Sequence, residues 1–160
     1  MVIMGGAFLS PGNTTKFAEY NIWADPEAAA IVANSDFPIT FIGLDVTHKV
    51  PFFKERWETL AKVDSSDAQL IYALLRRTFV SRGRPGFPLH DPLAVAVAAF
   101  PELVETESWG VTVETGIGET SGRTCIVDQP GSHRHEVAVA VRTGEFISLF
   151  SDTLSLARGT

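Results

Sequence analysis

The chain opens on Met1-Val2-Ile3-Met4, an uninterrupted apolar run cut at once by Gly5-Gly6. Four apolar residues are too few for a buried helix, and the glycine pair ends them as a turn, so the run reads as a buried strand. Termini are ordinarily exposed and frayed. A core strand at residue 1 therefore predicts that the sequence starts inside a fold rather than at its margin.

Beyond this run, strand and helix patterns alternate. The segment 10–15, Ser-Pro-Gly-Asn-Thr-Thr, is a loop of turn formers. Asp25 followed by Pro26 and an alanine-rich stretch reads as N-cap, first helical residue and helix body. Residues 38–44 are β-branched and apolar and read as a buried strand, with 47–54 a loop broken by Pro51. Helices are expected over 54–61 and 66–81. A further helix over 93–100 is apolar on every side and is expected to be buried all round, with Asp91 as its N-cap and Pro92 as its first residue. Alternating patterns at 109–115 and 123–128, joined by a glycine-containing link, predict a hairpin; 136–141 is another strand and 144–157 a closing amphipathic helix. The fold class is α/β, in one domain over 1–160.

Composition narrows the functions open to such a domain. At 160 residues and 45% hydrophobic content the chain supports one core and not two. Its 13 basic against 19 acidic residues leave a net charge of −6. The densest basic group is Arg76, Arg77, Arg82 and Arg84, too small a face for a nucleic-acid partner. No stretch approaches the roughly 18 consecutive apolar residues that cross a bilayer, and the first eight residues lack the basic start of a signal peptide. No membrane association is expected. The single cysteine, Cys125, allows no internal disulfide and suits a reducing cytoplasm; in a strand-like run it reads as a packed thiol.

Two groups of residues carry candidate chemistry. Asn13, Glu19, Tyr20 and Asn21 come after the first strand, and ligands of open α/β sheets gather beyond the carboxyl ends of strands. Two amides and a carboxylate there would satisfy several hydroxyls at once, as a sugar requires; alternatively Asn13 is a turn residue and the other two are solvated. His90-Asp91-Pro92 places an imidazole and a carboxylate at a helix mouth, where capping and ligand contact explain the residues equally. Gly116, Gly118 and Gly122 link two strands with no helix after them, unlike a dinucleotide loop. His133 and His135 have no clustered carboxylate or cysteine and read as an exposed loop-to-strand junction. No serine sits in a Gly-x-Ser-x-Gly elbow.

Taken together, three motifs resemble the nucleoside hydrolases, the inosine-uridine preferring family. They are Met4-Gly5-Gly6 with Asn13 and Glu19-Tyr20-Asn21 running into Asp25-Pro26-Glu27-Ala28-Ala29; Pro38-Ile39-Thr40 with Gly43-Leu44-Asp45-Val46-Thr47; and Pro88-Leu89-His90-Asp91-Pro92 with Leu93-Ala94-Val95-Ala96. In order and spacing they match the C-terminal half of that family. The resemblance implies an open, mostly parallel sheet flanked by helices, and hydrolysis of the N-glycosidic bond of ribonucleosides to ribose and free base. It also implies a calcium ion that holds the ribose hydroxyls and the attacking water. Carried over by motif, Asn13 and Glu19 would bind the ribose 5′-hydroxyl and Asn21 a ring hydroxyl. Met4 would line the sugar pocket and Tyr20 would lie beside the base. His90 would face the leaving base as acid or contact, and Asp91 would ligate calcium.

One family element has no counterpart. The Asp-x-Asp-x-Gly-x-Asp-Asp loop, which supplies most calcium ligands and the general base, is absent, and no two aspartates are adjacent. A single carboxylate does not satisfy an ion that takes roughly six to eight oxygens, so the chain alone is expected to be inactive. Three explanations are open: a truncated sequence, one piece of a split enzyme, or a non-catalytic ribose-binding or structural module. An exposed sheet edge and uncovered apolar faces would favour a homo-oligomer or a partner supplying the N-terminal half.

Overall fold

The computed structural model describes residues 1–129 and 132–156. In chain order the elements are β1 (Val2–Met4), α1 (Tyr20–Ala24), α2 (Pro26–Ala33), β2 (Thr40–Ile42), α3 (Leu44–Thr47), β3 (Pro51–Phe53), α4 (Lys54–Leu60) and α5 (Ser66–Arg76), which runs on into a π-helical turn, Arg77–Ser81. Then come β4 (Gly86–Pro88), α6 (His90–Ala99), a 3-10 turn (Pro101–Leu103), β5 (Val104–Val113), β6 (Thr124–Val127), β7 (Arg134–Val141) and α7 (Thr143–Leu156).

Five strands form the main sheet in the order β1-β2-β7-β5-β6. β1, β2 and β7 pair in parallel; β5 is antiparallel to both β7 and β6, so four strands run one way and β5 alone is reversed. This is the mostly parallel, helix-flanked sheet expected. Successive side chains on a strand point to opposite faces, and here both faces are buried. Phe41 and Val137 enter one core with Ile22, Ala33 and Val111; their neighbours Ile42 and Ala138 enter the other with Phe52, Trp57, Leu93 and Phe146.

The expected helix start at Asp25-Pro26 holds: the Asp25 carboxylate accepts the Ala28 N–H at 2.9 Å, and proline opens the helix. The hairpin is β5–β6, and the closing helix is α7, whose expected last residue, 157, lies outside the described residues. Five local expectations need correction. β1 is half-buried, because it lies at the sheet edge with a strand on one side only. The strand expected over 38–44 ends at Ile42; extended Gly43 then starts α3, and Asp45 in its first turn accepts the Phe8 and Leu9 N–H groups at 3.0 and 2.7 Å. The expected loop 47–54 contains β3, which pairs with β4. The helix expected from 93 begins at His90, capped by Leu89 without a side-chain bond; Asp91 is its second residue and not its N-cap, and Pro92 its third. Nor is α6 buried all round. Val95 is 71% exposed, and an open groove of about 470 Å³ between α6 and α7 is lined by Val95, Ala99, Phe100, Phe146 and Phe150.

Candidate functional site

The chain leaves β1 at Met4 and turns through Gly6, whose φ of 95° is left-handed and whose missing Cβ would lie 2.7 Å from the Phe8 ring. That turn sends residues 7–18 out as a loop, pinned on its return by the Asn13 and Thr14 N–H groups on the Ala18 carbonyl. The return brings Glu19 under the start of α1. Its side chain is almost fully buried and accepts the N–H groups of Asn21 at 2.9 Å, Ile22 at 3.2 Å and Gly6 at 3.4 Å. Glu19 is thus an N-cap, and it is not solvated. A carboxylate has about four lone-pair positions, so one acceptor position stays open on Oε1.

The two amides complement this. Asn13 accepts the Tyr20 N–H through Oδ1 at 2.9 Å, which leaves its Nδ2 as a donor. Asn21 donates Nδ2 to the carbonyl oxygen and sulfur of Met4, which leaves its Oδ1 as an acceptor. Tyr20 is exposed and tilts against Trp23 at 6.1 Å. Met4, Asn13, Glu19, Tyr20 and Asn21 therefore form one connected group beyond the carboxyl end of β1. It offers hydrogen-bond donors and acceptors beside an aromatic face, as a hydroxylated ring compound requires.

His90 belongs to a second group, beyond the end of the adjacent strand β2. Its Nδ1 lies 2.8 Å from the hydroxyl of Thr47, which closes α3 and is completely buried. The His48 ring meets it edge-on at 5.6 Å. Burial, reinforced by the neighbouring His48, lowers the His90 pKa below the usual histidine value, and the Asp91 carboxylate opposes the shift. The ring is accordingly held toward its neutral form near neutral pH. Asp91 is exposed in the first turn of α6 and caps nothing. Sequence reasoning gave Thr47 and His48 no role in this group; the signal for Thr47 was its place at the end of the second family motif, with His48 directly after it.

Calcium does not fit the residues present. Among the described residues no three His, Cys, Asp or Glu side chains are grouped to hold a metal ion, and Asp91 supplies one carboxylate where calcium needs several. The remaining candidates are structural. His133 pairs with Asp36 at 3.1 Å; His135, expected at an exposed junction, is buried in β7 with Nε2 2.8 Å from the Ala33 carbonyl oxygen, because strand alternation turns it toward Phe41. Gly116, Gly118 and Gly122 lie in the β5–β6 connection.

Residues 1–148 match the family described as inosine-uridine preferring nucleoside hydrolase. The pyrimidine-specific ribonucleoside hydrolase RihA of Photobacterium profundum is 40% identical over 131 residues, covering 79% of this chain and 42% of that protein. RihA of Shewanella woodyi is 36% identical over 96% of this chain and 52% of its own length. Among solved structures, a plant nucleoside hydrolase superposes with a TM-score of 0.87 at 29% identity, covering 96% of this chain and 52% of that one. A purine-preferring ribonucleoside hydrolase from Gardnerella vaginalis superposes with a TM-score of 0.80 at 33% identity, covering 95% and 50%. The chain thus spans about half the length of the relatives it matches.

Proposed function

This chain belongs to the inosine-uridine preferring nucleoside hydrolase family, and on that premise we propose that it forms the sugar- and base-facing part of a ribonucleoside N-ribosidase. In the reaction a water oxygen bonds to C1′ of the ribose while the C1′–N bond breaks, its electron pair leaving on the base nitrogen. Water gives up one proton and the base takes up one, so the products are ribose and free base. The transition state carries positive charge on the sugar ring, which amide and carboxylate oxygens around it stabilise.

The observation that carries this reading is the Asn13–Glu19–Asn21 group, in which each side chain is held by backbone contacts and keeps polar capacity to spare. Asn13 and the open position on Glu19 bind the 5′-hydroxyl, Asn21 accepts from a ring hydroxyl, and Met4 lines the sugar. Tyr20 and His90 contact the base. Asp91 is this chain's one contribution to a calcium site of the complete fold.

The rest of the site comes from an N-terminal half bearing the Asp-rich loop. That half would extend the sheet at the β1 edge and cover the exposed apolar face of α6. No helix among the described residues is long and apolar enough to cross a membrane, and a cytoplasmic enzyme is proposed from the lone cysteine.

Fusion to an N-terminal half carrying the Asp-rich loop tests this. The 160 residues alone should show no turnover of uridine or inosine, and calcium binding no tighter than millimolar by calorimetry. The fusion should gain both. A folded fusion that binds ribose and hydrolyses neither nucleoside would favour the non-catalytic ribose-binding module; one that does not bind ribose would leave only a structural module.

A further inference from the structure

We propose that Thr47 is the positioning residue for His90: its hydroxyl donates to Nδ1 and holds the ring as the Nε2–H tautomer, so that His90 presents an N–H donor to its ligand. This deepens the reading of His90 as the contact to the base and rests on it for its functional meaning. The tautomer itself does not depend on that reading.

Hydrogen-bond satisfaction decides the tautomer. Thr47 is fully buried, and among the described residues its hydroxyl has one hydrogen-bond partner, His90 Nδ1 at 2.8 Å. The carbonyls a helical threonine would otherwise use are not its partners: that of Gly43, four residues back, accepts the Val46 and Thr47 N–H groups, and that of Leu44, three back, accepts the His48 N–H. A buried O–H must find an acceptor. Were Nδ1 protonated, it would donate to the Thr47 oxygen and strand the hydroxyl proton without a partner. With the lone pair on Nδ1 the bond is satisfied, and the ring proton resides on Nε2. Nε2 has no hydrogen-bond partner among the described residues.

Thr47 is itself fixed in place. It closes α3, whose Asp45 holds the Phe8 and Leu9 N–H groups, so the loop leaving β1 and the imidazole of α6 are both set by one four-residue helix. The chemical consequence concerns the ligand. A neutral ring in this tautomer donates one hydrogen bond and does not accept one at Nε2, so it selects a base that turns an acceptor atom toward it. It assists departure of the base by hydrogen bonding from Nε2.

The test uses the uniformly nitrogen-15-labelled chain at about pH 8, where a histidine is neutral. Long-range proton–nitrogen correlation distinguishes the two ring nitrogens of His90. Wild type should show Nε2 protonated and Nδ1 bare, with a slowly exchanging Thr47 hydroxyl proton near the ring. Thr47→Val, nearly isosteric, should move both nitrogen shifts toward the averaged values of a free imidazole, and Thr47→Ser should restore them. A protonated Nδ1 in wild type, or unchanged shifts in Thr47→Val, overturns the proposal. If the valine variant fails to fold, the wild-type nitrogen assignment and hydroxyl protection decide alone.

In the completed enzyme Thr47→Val should lower kcat for uridine on the order of tenfold, a usual cost of losing a residue that orients a ligand group. It should spare p-nitrophenyl riboside, whose leaving group needs no such help, with little change in KM for either. Equal loss on both substrates would mean a structural role and would sink the positioning claim. Confirmed tautomer with an inert completed enzyme would instead refute the proposed function and leave the Thr47–His90 assignment standing.

Discussion

Asn21 donates its side-chain amide to both the carbonyl oxygen and the sulfur of Met4, at 3.2 and 3.3 Å. The first turn of α1 is thereby tied to the last residue of β1, and the amide is oriented with its oxygen left over. Asn21→Ala should cost only about 1 kcal/mol in denaturant unfolding, the net worth of an exposed hydrogen bond. In the completed enzyme it should cost a few kcal/mol of discrimination between ribonucleosides and their 2′-deoxy analogues. Unchanged discrimination would remove Asn21 from the sugar site.

Glu19 behaves differently, because its carboxylate is buried and accepts three backbone N–H groups. Glu19→Ala should lower stability by about 2–3 kcal/mol, combining a lost cap with stranded buried donors. Urea unfolding of the chain measures it. A loss below the cost of Asn21→Ala would contradict the capping geometry.

Asp91 caps nothing, so its removal should hardly affect folding. Asp91→Ala should cost no more than about 0.3–1 kcal/mol, the interaction of an acidic residue with a helix N-terminus. In the fusion it should abolish turnover and weaken calcium binding together. Retention of both by the variant would place the metal site elsewhere.

The lowered pKa of His90 makes a signed prediction. The folded chain disfavours the imidazolium, chiefly through burial and then through His48. As pH falls below about 6.5, the unfolded chain takes up its proton first. Stability therefore declines through the window from about 6.5 down to the folded pKa, and this contribution levels off below it. Direct NMR titration should place His90 below an ordinary histidine, and His90→Asn should flatten the stability profile across that window.

Cys125 should be a slow nucleophile. Burial raises its thiol pKa most, and the Glu114 carboxylate, 3.6 Å away and hydrogen-bonded to the sulfur, raises it further against the opposing Arg123. Alkylation by iodoacetamide near neutral pH should run slower than that of free cysteine. Glu114→Gln should accelerate it, and a rate already equal to free cysteine in the wild type would contradict the environment described.

Local chemistry was readable in advance wherever it closes within a few residues. Asp25-Pro26 starts α2 because the cap bond spans three residues. The β5–β6 hairpin and β7 are written in side-chain alternation, and the family motifs mark the same strand ends where the polar residues gather. Other features depended on partners far along the chain. Thr47 meets His90 across 43 positions, His135 reaches the Ala33 carbonyl across 102, and Glu19 is buried by its bond to Gly6 on the far side of a loop. Asp91 looked like a cap because Asp before Pro usually is one, yet Leu89 packs into the core and starts the helix earlier. The apolar composition of α6 said only that its surface avoids water. Which side is covered, by β1 and α7, and which is left open at Val95 depended on the order of the strands, and strand order is set by burial summed over the whole sheet, to which no short stretch of sequence has access.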